Sequence, residues 1–405
     1  MRGTVTRRTA AVVMVALAGL ATAGLAIAVV AGEGSGKPQT STALPSHPVA
    51  GNFEPDGTKL EGCSDDDQSC LEQAYGNIAY DSGPKRALTL LEEEVGTATN
   101  VCHRIAHNIG SAALARFAGE VGRTFAEGSS TCASGYYHGV LSRALVNVKS
   151  FEAGALGAVS RGLCSSDEVR ALAELEYQCL HGLGHGLMIT TGYNLPTSLQ
   201  VCDHLQGVWR ATSCNGGVFM ENFFTSYGDV SPWVRDDDPV YPCDEVVEED
   251  KQTCYQLVTS RILRVIGLDW EKTAEICASV ERNWVASCFE SYGRDVAGQT
   301  HRDAEKILEL CEVAREYGGE RECIRFAALD MVANDKTGTQ AAGLCDRTAG
   351  GLRAACYQAI GSLLARSRTT RAETVADCRS LTTVEGDVAA CVRGASARLA
   401  APLAR

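Results

Sequence analysis

Five histidines and one glutamate fall at related places in the N-terminal half of the chain, each a few residues after a cysteine. Cys102 is followed by His-Arg-Ile-Ala-His, which puts His103 and His107 one and five residues on. Cys132 is followed by Ala-Ser-Gly-Tyr-Tyr-His-Gly, with His138 six residues on. Cys179 is followed by Leu-His-Gly-Leu-Gly-His-Gly, with His181 and His185 two and six on, and Glu221 lies seven after Cys214. To within one residue, the same register therefore reads His, His, His, carboxylate. Imidazole nitrogens suit zinc, copper or iron, and three nitrogens with one carboxylate match many catalytic metal sites. His107, His138 and His185 are the expected core ligands of a divalent transition metal, with Glu221 as fourth ligand or general base. His103 and His181 lie four residues before His107 and His185, on the same helical faces, and are expected as further ligands or acid–base groups. Six such groups are also enough for two ions. Tyr137, together with Tyr136 and Asn222, flanks them as a proton-transfer or supporting group.

Other chemistry is missing. The chain has no HExxH, no CxxCH and no phosphate-binding glycine loop. Metal-assisted hydrolysis and oxidation on copper or iron are both open to a histidine centre, and residue types do not separate them. His204, beside Cys202, reads as structural, and His47 and His301 as solvated. The acidic runs Asp65-Asp66-Asp67, Asp236-Asp237-Asp238 and Glu248-Glu249-Asp250 read as solvated loops. A net charge of −13, from 50 acidic against 37 basic residues, argues against phosphate-backbone binding and so against nucleic acid as a partner.

Repetition supplies the elements that must position these groups. Cysteines pair in sequence as 243/254, 277/288, 311/323, 345/356 and 378/391, the first members stepping by 34, 34, 34 and 33 residues. The pairs 164/179 and 202/214 follow with looser spacing. A period near 34 is that of two-helix repeats. Residues 303–314 carry apolar side chains at helical spacing, Gly318 and Gly319 mark a stop, and a second helix starts near Cys323. One bridge across each hairpin follows from that placement. For Cys63, Cys70, Cys102 and Cys132 the pairing stays open, with 63–70 and 102–132 as candidates. The predicted fold is all-α, a solenoid of two-helix repeats of about 34 residues with one disulfide per hairpin. Positions equivalent to the aligned histidines after Cys254, Cys288, Cys323, Cys356 and Cys391 carry no histidine. The repeat scaffold does not require them, which argues for function over packing. Gly135, Gly139, Gly182, Gly184, Gly186, Gly216 and Gly217 crowd the same helices and predict close helix approach or room for a ligand.

The first hairpin, Cys70-Leu-Glu-Gln-Ala-Tyr-Gly-Asn-Ile-Ala-Tyr-Asp-Ser-Gly followed by Ala87-Leu88, resembles a SEL-like or tetratricopeptide repeat. That resemblance covers some 25 residues. It implies two antiparallel helices packed through small residues and, at most, a binding role.

Ahead of the repeats, Ala10 to Ala31 is unbroken by charge and follows Arg2, Arg7 and Arg8. The run is long enough to span a bilayer, so a signal anchor is expected, with a signal peptide cleaved after Ala28 as the alternative. Residues 32–60, rich in Gly, Ser, Thr and Pro, read as a flexible tether. All 18 cysteines follow it. Together these features predict an extracytoplasmic protein held to the cell membrane by one N-terminal helix, or secreted if cleaved. Its repeats divide into residues 61–235, with the histidines, and 236–400, structural or binding. Three functions remain in view: a metal-dependent hydrolase or oxidoreductase, a scaffold binding a peptide or protein, and a metal capture or delivery protein.

Overall fold

Local signals start each repeat. Asp303 accepts hydrogen bonds from the amides of Glu305 and Lys306 and caps the outer helix Ala304–Arg315. Gly318, at a left-handed φ of 78°, lets the chain turn where a side chain would be strained. The inner helix Glu320–Asp335 then runs back. Cys311 and Cys323 join the two helices, their Cα atoms 5.5 Å apart. The Tyr292 hydroxyl on a neighbouring inner helix donates to the Leu310 carbonyl, tying the two layers together.

A computed structural model describes residues 53–96, 100–146, 148–226 and 230–400. Among these the only regular elements are α-helices and short 3-10 turns. The same bridged hairpin recurs at 164–179, 202–214, 277–288, 345–356 and 378–391, while Cys243, in a turn, bridges to Cys254 on the helix Glu248–Tyr255. Cys63 pairs with Cys70, and no cysteine among the described residues is free. Cys102 pairs with Cys132 and joins one inner helix to the 3-10 turn that leads into the next, rather than the arms of one hairpin.

Inner helices stack in series. Gln68–Ser82, Asn100–Arg116, Gly135–Leu145, Ala173–Thr190 and Val208–Phe223 each pack on the next. The stack continues through Glu248–Tyr255 and Thr259–Ile266 to Val285–Gln299, Glu320–Asp335, Gly350–Leu364 and Glu385–Ala400. Side chains one period apart therefore meet: Arg210 with Glu176 at 2.8 Å, Gln256 with Glu290 at 2.7 Å, Arg353 with Asp387 at 2.8 Å. The fold is the all-α solenoid of two-helix repeats with one disulfide per hairpin.

The membrane element expected with it is corrected. Among the described residues no helix is long and apolar enough to cross a membrane. Ala173–Thr190, 18 residues long, carries Glu174 and Glu176 and buries its apolar surface against neighbouring helices. The run 10–31 lies outside the described residues, as does His47. The membrane tether, the membrane as partner and the location deduced from them are accordingly not retained. Part of the expected tether is in place, because Phe53 is buried beside Tyr80 and Asp56 accepts from the Asn77 amide. The run Glu248-Glu249-Asp250, expected in a loop, forms the first turn of a helix, where carboxylates face unpaired backbone amides.

Candidate metal centre

Three consecutive inner helices deliver the histidines. His103 and His107 lie on Asn100–Arg116, His138 on Gly135–Leu145, and His181 and His185 on Ala173–Thr190. The middle helix packs against both others, so His138 sits between two i,i+4 histidine pairs. Glycine sets how near the helices come. A Cβ at Gly139 would run into the His107 carbonyl, and one at Gly217 into the His181 carbonyl. The predicted close approach is thus made at backbone level.

The imidazoles are nearly dry. His107, His138, His181 and His185 are 2%, 1%, 6% and 2% exposed, and His103 is partly buried. The ring centroid of His138 lies 5.2 and 5.3 Å from those of His103 and His107. It lies 5.9 Å from that of His181 and stacks on His185 at 3.9 Å. Two groups of possible ligand atoms result, His103–His107–His138 and His138–His181–His185, each with its atoms within 4.8 Å of one another.

Hydrogen bonds fix the ring states. His103 Nδ1 donates to the Cys132 carbonyl at 2.8 Å, which leaves its Nε2 as a lone pair facing His107 Nε2 at 3.1 Å. His185 Nδ1 is hydrogen-bonded to Glu221 Oε2 at 2.8 Å, and its Nε2 faces His181 Nε2 at 3.3 Å. These are the outer contacts that metal-bound histidines make. Just before the His138 helix, Cys132, Ala133 and Ser134 all take left-handed φ between 51° and 64°. Three such non-glycine residues in a row are strained, and the Cys102 disulfide with the His103 hydrogen bond holds them in place.

Burial dominates the electrostatics. It lowers the pKa of all five histidines, taking His181 and His185 to about 3, and for His107 and His138 neighbouring imidazoles add to the effect. Neutral rings are the form that binds metal. Glu221 is pushed up to about 7 by burial, against hydrogen bonds from Ser226 and Tyr193 that favour its charged form. Those donors are the Tyr193 hydroxyl at 2.9 Å and the Ser226 amide and hydroxyl at 2.7 and 2.6 Å. Both ring nitrogens of His138 are buried without a hydrogen-bond partner among the described residues. Such a group costs on the order of 1–3 kcal/mol per unmet bond.

The five histidines converge as the register predicts, and Glu221 stands behind His185. Tyr137 stacks on Phe125 at 4.7 Å and meets Tyr136 edge-on. Tyr136 donates to the Thr124 carbonyl, and Asn222 holds Ser231 and the Trp233 carbonyl. His204 and His301 are exposed. Sequence reasoning missed Tyr193, Ser226 and the Cys132 carbonyl, because loop residues and backbone atoms follow no repeat register. It also missed Tyr177, which stacks on His181 at 5.4 Å, although it lies one turn before His181 on the same helix. The Arg366 guanidinium lies over the Tyr177 ring at 4.4 Å, so a distant repeat reaches the edge of the centre.

Compared with protein-family models, curated proteins and solved structures, the chain has no match. The bridged two-helix repeat is shown by its geometry, without a family to place it in.

Proposed function

We propose that this chain is a helical-repeat protein that holds transition-metal ions through His103, His107, His138, His181 and His185. One observation carries the reading: two three-histidine groups meet at His138, whose buried ring nitrogens have no hydrogen-bond partner among the described residues. Neutral imidazoles without thiolate suit zinc, copper or iron, and every described cysteine is committed to a disulfide. In this reading Glu221 orients His185 and raises its basicity, a role that carboxylates commonly play behind ligating histidine. Tyr137 supports the His138 helix through its aromatic neighbours. The SEL-like or tetratricopeptide likeness enters only as a proposal about hairpin shape.

Three imidazoles around an ion leave a position for water or substrate, the pattern of catalytic rather than closed structural sites. Metal-dependent hydrolysis or oxidation is the chemistry that this permits. Metal capture or delivery is the second reading, favoured by four imidazoles no more than 6% exposed.

Elemental analysis of untagged protein from an oxidising expression host tests the proposal, beside a His138→Ala/His185→Ala variant. Near-stoichiometric metal in the parent, lost in the variant at unchanged helix content, is the expected result. No metal in either, even after reconstitution with zinc, copper and iron, removes the proposal and leaves a disulfide-stapled binding scaffold.

A further inference from the structure

His138 belongs to both three-histidine groups. The helices on either side each offer an i,i+4 pair whose Nε2 atoms already face one another, at 3.1 Å for His103 and His107 and 3.3 Å for His181 and His185. A tetrahedral ion with bonds of 2.0–2.1 Å holds neighbouring nitrogens about 3.3–3.4 Å apart. Each pair is therefore spaced as one edge of its own coordination tetrahedron, and the two edges belong to different helices.

The second nitrogen of His138 decides how the edges are joined. A histidine that binds one ion normally passes its other N–H to a carbonyl or carboxylate. His103 does so through Cys132, and His185 is hydrogen-bonded to Glu221. Among the described residues His138 alone of the five has both ring nitrogens buried without a hydrogen-bond partner, at 1% exposure.

We infer that the centre is dinuclear, with one ion on His103 and His107, a second on His181 and His185, and the His138 ring bridging them as imidazolate. This rests on the metal-binding reading above. The first ion takes the lone pair of one His138 nitrogen. The second displaces the proton from the other nitrogen, and that proton leaves to solvent as the second metal–nitrogen bond forms.

The test is a copper(II) titration of the metal-free chain, followed by low-temperature electron paramagnetic resonance. It uses a His47→Gln/His204→Gln/His301→Gln background to remove histidines outside the centre. Binding should saturate at two ions per chain. The integrated signal should rise with the first equivalent and fall with the second, because spins joined through one imidazolate couple antiferromagnetically. His138→Ala in the same background should restore about one spin per bound copper. Saturation at one ion, or two ions that keep full intensity throughout, overturns the bridge and leaves the metal site standing. No bound copper overturns the metal site itself. Because the parent titration reads the bridge directly, the result holds even if His138→Ala fails to fold.

Discussion

Taking five imidazoles out of water lowers every one of their pKa values, with His181 and His185 at about 3 against a usual 6.5. In the metal-free protein the unfolded chain therefore binds more protons than the folded one below pH 6.5. The histidine contribution to stability is complete above that pH and is lost as pH falls towards 3. Glu221, raised to about 7 from 4.5, acts with opposite sign between those two values. Several histidines outweigh one carboxylate there, and below 4.5 they act alone. Denaturant midpoints of the metal-free chain should fall from pH 7 to pH 4, most steeply below 4.5, and a flat profile would contradict buried neutral histidines. At the same scale, Glu221→Gln puts an amide where Oε1 and Oε2 make four hydrogen bonds, and no longer fixes His185. Competition with a chelator should show metal affinity reduced about 10–100-fold, and an unchanged affinity would take Glu221 out of the centre.

Helix approach belongs to the element scale. Gly139 lies against the His107 backbone, so Gly139→Ala must push two inner helices apart. Overpacking of this kind costs about 1–3 kcal/mol, and here metal content should fall with stability. Gly162 is an exposed helical glycine with open space where a Cβ would sit. Gly162→Ala should therefore stabilise, by up to about 1 kcal/mol, from helix propensity alone. Thermal melts of the two variants separate contact from propensity, and equal effects would refute the close-approach account. The disulfides act on the same elements but away from the centre. Cys311→Ser/Cys323→Ser opens one hairpin in the C-terminal half and should cost about 2–4 kcal/mol. Bound metal in the folded fraction should not change, because that hairpin contributes no histidine to the centre.

Within residues 53–400 the stack winds back on itself. From Ala173–Thr190 to Gly350–Leu364 there are five inner-helix steps, which at 8–10 Å each would separate the two by about 40–50 Å along a straight stack. Yet Arg366 lies over Tyr177, and Lys336 pairs with Glu174 at 3.7 Å. The second half of the array thus closes over the flank of the first at its histidine centre. Both contacts are made by long, partly exposed cations, and exposed ion pairs contribute little each. Lys336→Glu/Arg366→Glu turns one attraction into repulsion and removes the other. Small-angle scattering should then show a larger radius of gyration at unchanged helix content. An unchanged radius would mean that packing between neighbouring helices alone sets the winding.

The sequence by itself determined the repeat, because hairpins are local: a period near 34, an end-of-helix Gly318 and paired cysteines such as 311 and 323 lie within one hairpin's reach. It also determined the histidine register, since equivalent positions on stacked helices must share a face. An apolar run such as 10–31 carries no such partner in the sequence, and no membrane-crossing helix appears among the described residues. Only the tertiary structure decided which atoms face which. The Cys102–Cys132 bridge, the Tyr193 and Ser226 contacts to Glu221, and the return of Arg366 to Tyr177 join segments whose separations follow from packing angles between helices. Those angles accumulate over many repeats, and no local pattern of residue types records their sum.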